Sequence, residues 1–540
     1  MSKTYLKSDH FSGGGSGLQN LAFLFQAQSN FTGARPLYER ALAIYENALG
    51  VDHPDTATIL DNLACVLRAQ GDFAGARPLC DRAVAVREKA LGAEHPHTAV
   101  SVENLAILLQ AQGDLAGARS LFERVLAVRE RALGPEHPDT ATSLNRLSDV
   151  LVAQGEVAAA RPLNERAMRI YEKAFGPAHA RTADGIGRLA FLLRHQGDLA
   201  GARLLYERTL TIYEKTLGPE HPYTAGSLQN LASLLQAQGD LTGARPLYER
   251  ALAISEKVLG PEHPETMGSL SGLASVLQAQ EDFAAAQSLH ERALAISQRA
   301  LGPEHSATAA ILSNLGSLLH AQGDFEGARP LLERALAIYE KVLGPEHPNT
   351  ATSLDNLASV LVAKGDFTVA RPLHERALAM REKLLGPEHF ETAISVGNFA
   401  YLLQAQSDFA GARPLFERAL AIYEKVLGPE HPQTARGLNN LAGVLRDEGD
   451  LARAQPLFER ALAVFEKALG PEHLDTNAAR RNLARVFLMR GQPHTRKCSG
   501  EITPGPRKMP IRLPTRSTRL AAQRRRRRCG SGMGSWRQEK

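Results

Sequence analysis

Asparagine returns at one step of this chain: Asn20, Asn62, Asn104, Asn230, Asn314, Asn356, Asn398, Asn440 and Asn482 are spaced by forty-two residues or multiples of it. An amide carries donors and an acceptor together, so a row of amides suits hydrogen bonding to the backbone of an extended peptide, whatever its side chains. Arg146 and Arg188 interrupt the row in adjacent copies, and Gly272 interrupts it again. With Arg194, six residues after Arg188, they put three guanidinium groups where bidentate bonds to an acidic peptide are expected. The competing reading is solvated arginines partly neutralised by Asp149, because exposed ion pairs contribute only ~0–1 kcal/mol. Eleven histidines, His53 to His473, also recur once per copy. Helices pack ~8–10 Å apart and zinc needs ligands at ~2 Å, so this spacing suits a helix cap and not a metal site. The chain has no His-Glu-x-x-His, no Gly-x-Ser-x-Gly, no phosphate-loop glycine motif and no paired carboxylates outside the repeat pattern. The expectation is a protein without catalytic residues, metal or cofactor.

The unit that must position these residues is clearest at 345–386. Leu354, Leu357, Ala358 and Leu361 fall at i, i+3, i+4 and i+7, one stripe of a helix, and Ala370, Leu373, Ala377, Leu378 and Leu384 form a second stripe. Each copy is therefore a helical hairpin. At 100° per residue Asn356 points well away from the first stripe, toward what would be a groove. A hairpin this small cannot cover its own apolar stripes, so the copies must stack into an all-α solenoid with one continuous core. Between the two helices stands a Gly-Asp step, as at Gly197-Asp198 and Gly365-Asp366, with Ser29-Asn30, Glu281-Asp282 and Ser407-Asp408 as variants. Glycine ends one helix in the left-handed region and aspartate caps the next. The second helix ends at another glycine, and Glu-His-Pro-x-Thr-Ala follows, with His137 read as a cap and Pro138 at the first helical position. Pro36, Pro78, Pro162, Pro246, Pro330, Pro372, Pro414 and Pro456 sit about six residues into the second helix, where an interior proline costs ~3 kcal/mol. A kink or a loosened first turn is expected there.

Composition agrees with a folded, all-helical chain: 44% hydrophobic, 22% charged, one Trp in 540 residues. The four cysteines show no disulfide or metal spacing, and no apolar run approaches the ~18 residues of a membrane span. A cytoplasmic setting without membrane contact follows as an expectation. The net charge of +5 is unevenly spread, since residues 493–540 hold fourteen Lys or Arg against two Glu. Three segments are expected: 1–17, ending in Ser-Gly-Gly-Gly-Ser-Gly, as a flexible lead; 18–491 as the solenoid of about eleven hairpins plus a polar capping helix over Thr476–Arg490; and 492–540 as a disordered basic tail. The run Arg524–Arg528 admits a nuclear-localisation or nucleic-acid role for that tail.

The pattern Asn-Leu-Ala-x-x-Leu, Gly-Asp, Ala-x-Pro-Leu-x-Glu-Arg-Ala-Leu, Gly-Pro-Glu-His-Pro resembles the tetratricopeptide repeat in its forty-two-residue, kinesin-light-chain-type form, over residues 18–491. The resemblance implies a right-handed superhelix that binds peptides or partner proteins in its concave groove, where similar arrays carry asparagine ladders. By that likeness Asn62, Asn104, Asn230, Asn314, Asn356, Asn398 and Asn440, with Arg146, Arg188 and Arg194, are the expected groove residues. Only seventeen unpatterned residues precede the repeats, where kinesin light chains have a heptad coiled coil, so motor association is not expected. Other relatives are scaffolds, or modules attached to signalling ATPases. The function read from the sequence is a non-enzymatic scaffold, with a nucleic-acid-associated protein and a regulatory module of a signalling ATPase system as alternatives.

Overall fold

A computed structural model describes residues 8–491, which form twenty-three helices and, among the described residues, no strand. The first hairpin pairs Ser8–Ala27 with Phe31–Leu49, the fourth Pro138–Ala153 with Val157–Phe175, the fifth Ala180–His195 with Leu199–Thr216 and the sixth Pro222–Ala237 with Leu241–Val258. His137 shows how a first helix begins. Its Nδ1 accepts the N–H of Asp139 at 3.1 Å, and Pro138 fills the first helical position, where no N–H is needed. Thr140, fully buried, donates to the carbonyl of Gly134, the residue that closed the preceding helix, at 2.9 Å. The same bond recurs from Thr56 to Thr476. The His-Pro-x-Thr element thus caps one helix and ties it to the last.

The turn inside each hairpin follows the glycine-aspartate logic. Gly155 adopts φ +80°, and Asp198 accepts the N–H of Gly201 at 2.9 Å. Where glycine is missing, Ser29, Glu281 and Ser407 are held at φ of 55° to 64°, a conformation that disfavours L side chains by about 1–2 kcal/mol. The second helices run on through their prolines, Phe325–Val342 through Pro330 for instance, as single helices. Ser8–Ala27 is a helix that carries the glycine-serine run within it. Packing explains this: a Cβ at Gly15 would fall 2.7 Å from the Tyr45 ring, and Ser16 Oγ lies 3.1 Å from Tyr45 Oη. Small residues let the second helix of that hairpin approach.

Leu354, Leu357, Ala358, Leu361, Ala370 and Ala377 are buried, and clusters cross from one hairpin to the next, as where Leu105 and Leu108 join the core of the first two hairpins. Neighbouring first helices touch one another, Pro54–Ala69 against Pro96–Ala111 and Pro348–Lys364 against Phe390–Ala405, whereas no pair of second helices comes as close among the described residues. The stack therefore curves with its first helices inside. The curvature brings distant copies together. His305 Nε2 lies 3.1 Å from the Ala69 carbonyl, and His347 Nε2 lies 3.3 Å from that of Ala111, each 236 residues away in sequence. The rings of His389, His431 and His473 lie against Gly155, Gly197 and Gly239 at the corresponding steps. One superhelical turn thus spans between five and six hairpins, and successive turns rest on each other.

The closing helix, Leu474–Met489, buries Leu483, Val486 and Phe487, while Arg480 pairs with Glu466 at 3.0 Å. Contacts divide the chain into two units after Gly491. The basic tail and its proposed nucleic-acid or localisation role lie outside the described residues.

Candidate functional site

On the inner face, Asn62, Asn104, Asn356 and Asn398 are half-buried and Asn230, Asn314 and Asn440 are exposed. Contacts between rungs join residues thirty-nine to forty-three apart on adjacent first helices, as Asn482 Nδ2 donates to Asn439 Oδ1 at 3.1 Å, and several of them are thirty-nine apart. Cys65 Sγ reaches Asn104 Oδ1 at 4.0 Å, Arg194 reaches Ser233 Oγ at 3.0 Å, and Gln236 reaches Ser275 Oγ at 2.7 Å. Of the groove amides named above, Asn230, Asn314 and Asn440 are the ones exposed to solvent.

The three arginines do not form one cluster. Arg188 donates from Nη1 to both oxygens of Asp149, at 2.8 and 3.0 Å, and from Nε to Asp184 at 3.1 Å. Two carboxylates of the chain itself therefore hold the guanidinium that would have met an acidic ligand. Burial pushes the Asp149 carboxyl above its ordinary range even against the Arg188 charge. Arg146 lies 3.6 Å from Glu103, which Arg129 also holds at 2.5 Å. Arg194 lines a separate crevice with His389, His431 and Arg436. Around Arg188 opens a cleft of about 350 Å³ whose lining includes Asp149, Asp184, Asn164, Phe191, Tyr223 and Asn230.

Behind this face stand charges that pattern reading missed. Arg87 pairs with Asp61 at 2.8 Å and Arg381 with Asp355 at 2.5 Å, all four residues buried, and Arg129 with Glu103 repeats the arrangement. Arg87 also donates to Ser101 Oγ, Thr58 Oγ1 and the His97 carbonyl, which satisfies its fork. The signal was present in the sequence. At this step of the second helix arginine occurs only in the copies with Asp or Glu twenty-six residues earlier, and the other copies carry Tyr, Ser or Phe, as at Tyr171, Ser255 and Phe465. The exposed pairs, such as Arg329 with Glu333 at 2.7 Å, are surface support worth little.

The tetratricopeptide repeat family model matches the chain from 16–79 through 434–495 in ten segments. This chain belongs to the tetratricopeptide repeat family, whose repeats serve as protein-interaction scaffolds. Among solved structures, the kinesin light chain nearly identical TPR-like repeats of Podosopora anserina are 33% identical, covering 38% of this chain and 97% of that one, with a TM-score of 0.33. BtubC (BKLC) from P. vanneervenii is 28% identical over 43% of this chain and 91% of its own, with a TM-score of 0.36. The search of curated proteins finds no match. Among the described residues no helix is long and apolar enough to cross a membrane.

Proposed function

We propose that this chain is a non-enzymatic scaffold that binds an extended segment of a partner protein along its inner face. The asparagine row carries the reading. Adjacent first helices lie ~8–10 Å apart and an extended peptide rises ~3.3 Å per residue, so each amide meets every third backbone unit of the ligand. Asn62, Asn104, Asn230, Asn314, Asn356, Asn398 and Asn440 supply the backbone bonds, while the residues between them select side chains. Arg194, and Arg146, which shares Glu103 with Arg129, are the residues offered to an acidic ligand; Arg188 is engaged by Asp149 and Asp184.

The test is an array of random twelve-residue peptides probed with the full chain and with a triple variant, Asn314→Ala/Asn356→Ala/Asn398→Ala. These asparagines are exposed or half-buried, so the fold persists and circular dichroism should not change. Loss of three backbone contacts should lower signal across the array by roughly tenfold, whatever the peptide sequence. An array pattern identical for the two proteins would remove the proposal.

A further inference from the structure

The cleft beside Arg188 is a departure from the repeat, not a product of it. At the step where other second helices carry Tyr38, Phe122, Tyr206, Tyr248, Leu332 or Phe416, the fourth has Asn164, and at the step of the buried Asp61 and Asp355 the fifth first helix has Gly187. Gly226, on the sixth first helix, has nothing within 4 Å of where a Cβ would stand. Three small residues in consecutive hairpins leave the wall hollow. Asn164 is 3% exposed, and its Oδ1 has no hydrogen-bond partner although it lines the cleft. An unpaired buried carbonyl costs about 1–3 kcal/mol, so the site is built to receive a donor. Asp149 and Asp184 form one wall, and Arg188 is the one cation among the lining residues. At the rim stand Phe191, 42% exposed, and Tyr223, 64% exposed, the latter stacked on Tyr213 at 5.9 Å between centroids. Asn230, a rung of the amide row, lines the same opening.

We propose that this cleft is a specificity pocket for a guanidinium group, so that the extended ligand places an arginine between the fourth and sixth hairpins. The inference rests on the groove reading and adds to it the one side chain that the fixed geometry selects. A planar guanidinium offers five donors in a fork and stacks on aromatic faces, and the pocket supplies what such a group needs: an unpaired amide oxygen at the floor, carboxylate oxygens on one side and exposed rings on the other. A carboxylate entering instead would face Asp149 and Asp184. Burial already disfavours the Asp149 charge, and a second cation would relieve that penalty. The pocket thus inverts the charge preference that Arg188 suggests when read alone.

A serine-alanine host decapeptide with arginine, citrulline or glutamate at its centre tests this. Citrulline keeps the shape of arginine and removes its charge. Fluorescence anisotropy with the full chain should show the arginine host bound roughly tenfold more tightly than the citrulline host. In Gly226→Ile, which copies Ile394 at the equivalent step of the tenth hairpin, the cleft is filled, and the arginine and citrulline hosts should bind alike. Asn164→Leu, which copies Leu332, should reduce the same preference while leaving the citrulline host unaffected. Equal binding of arginine and citrulline hosts to the unaltered chain, or a preference for glutamate, would overturn the pocket and leave the amide row standing. Failure of all three hosts to bind would instead remove the groove reading, and the pocket with it.

Discussion

Asp61 and Asp355 occupy the same step of their hairpins and face the same arginine, yet their carboxyls are displaced in opposite directions. Burial acts on both against the charged form. At Asp355 it is outweighed by the hydrogen bond from His374 Nδ1, at 2.8 Å, and by the Arg381 charge, and the carboxyl sits below its ordinary range. At Asp61 burial prevails over Arg87 and the carboxyl is raised: Cys80 stands where the ninth hairpin has His374, and Asp61 Oδ1 is left without a partner. The signs follow from linkage. Asp355 contributes stability above the unfolded carboxylate value of ~3.9 that is lost as pH falls through its folded value. Asp61 binds its proton more tightly when folded, so its hairpin weakens as pH rises from ~3.9 through the folded value. Acidification from pH 7 to pH 3 should therefore reduce hydrogen-exchange protection over Pro348–Lys364 more than over Pro54–Ala69; equal losses would contradict this account. Asp355→Ser alone leaves Arg381 charged in the core and should destabilise the ninth hairpin by about 3–5 kcal/mol. Adding Arg381→Tyr copies the Ser313 and Tyr339 pair of the eighth hairpin and should recover most of that loss, measured as the same protection. A double variant no better than the single would show that the pair is not the relevant unit.

Among the elements, the second helices carry a local conflict that recurs from copy to copy. Pro330 is exposed and lies inside a continuous helix, where it removes a backbone hydrogen bond and crowds the preceding turn. The fifth hairpin has Leu204 at this step, 68% exposed, and the third has Ser120, so the position makes no buried contact that requires proline. Pro330→Ala should stabilise the eighth hairpin by roughly 1–3 kcal/mol after the smaller entropy gain of the unfolded chain is deducted, seen as a higher midpoint in urea. A lower midpoint would mean that the ring has a packing role its exposure does not reveal. The hairpins were legible in the sequence because their determinants are local: His137, Pro138 and Thr140 act within six residues of Gly134, and periodicity marks the buried stripes. The helix through the glycine-serine run was not legible, because that composition signals flexibility and Tyr45, which contacts Ser16, lies twenty-nine residues further on. The buried arginines were legible only by comparing copies with one another, since each alone passes for a surface residue. The hollow at Asn164 needed the structure, because its neighbours Gly187 and Gly226 belong to different hairpins.

At the scale of the whole solenoid, the same histidine serves two purposes depending on where the superhelix carries it. His137, with 41% of its side chain exposed, only caps its helix, whereas His473, 11% exposed, also rests on the turn at Gly239, one superhelical turn away. No single repeat contains that information, because it depends on pitch. Each seam histidine accepts a backbone N–H at Nδ1, as His305 does from Ala307 at 3.1 Å. The proton is therefore assigned to Nε2, which in His305 and His347 faces a carbonyl of the neighbouring turn. Only the neutral ring can do both. Burial lowers the affinity of His305, His347, His389, His431 and His473 for a second proton, most clearly at His431, which is pushed down to about 4 with His195 and Arg436 beside it. A base with a depressed folded value stabilises the closed seam above ~6.5, the value of an unburied histidine, and the contribution is lost as pH falls toward the folded value. For His431 each pH unit below 6.5 removes up to about 1.4 kcal/mol. The turns should part between pH 7.5 and pH 5, and small-angle scattering of the full chain should show a larger radius of gyration at the lower pH. A variant with asparagine at all five positions keeps a capping acceptor but cannot titrate, so its radius should be the same at both. A wild-type radius independent of pH would exclude the histidine seam as the closure. Closure also bears on ligand entry, because a wall whose turns touch admits an extended chain to the amide row from the ends of the superhelix or through a parted seam. Acid pH should accordingly speed peptide association in the wild type and leave the five-asparagine variant unchanged.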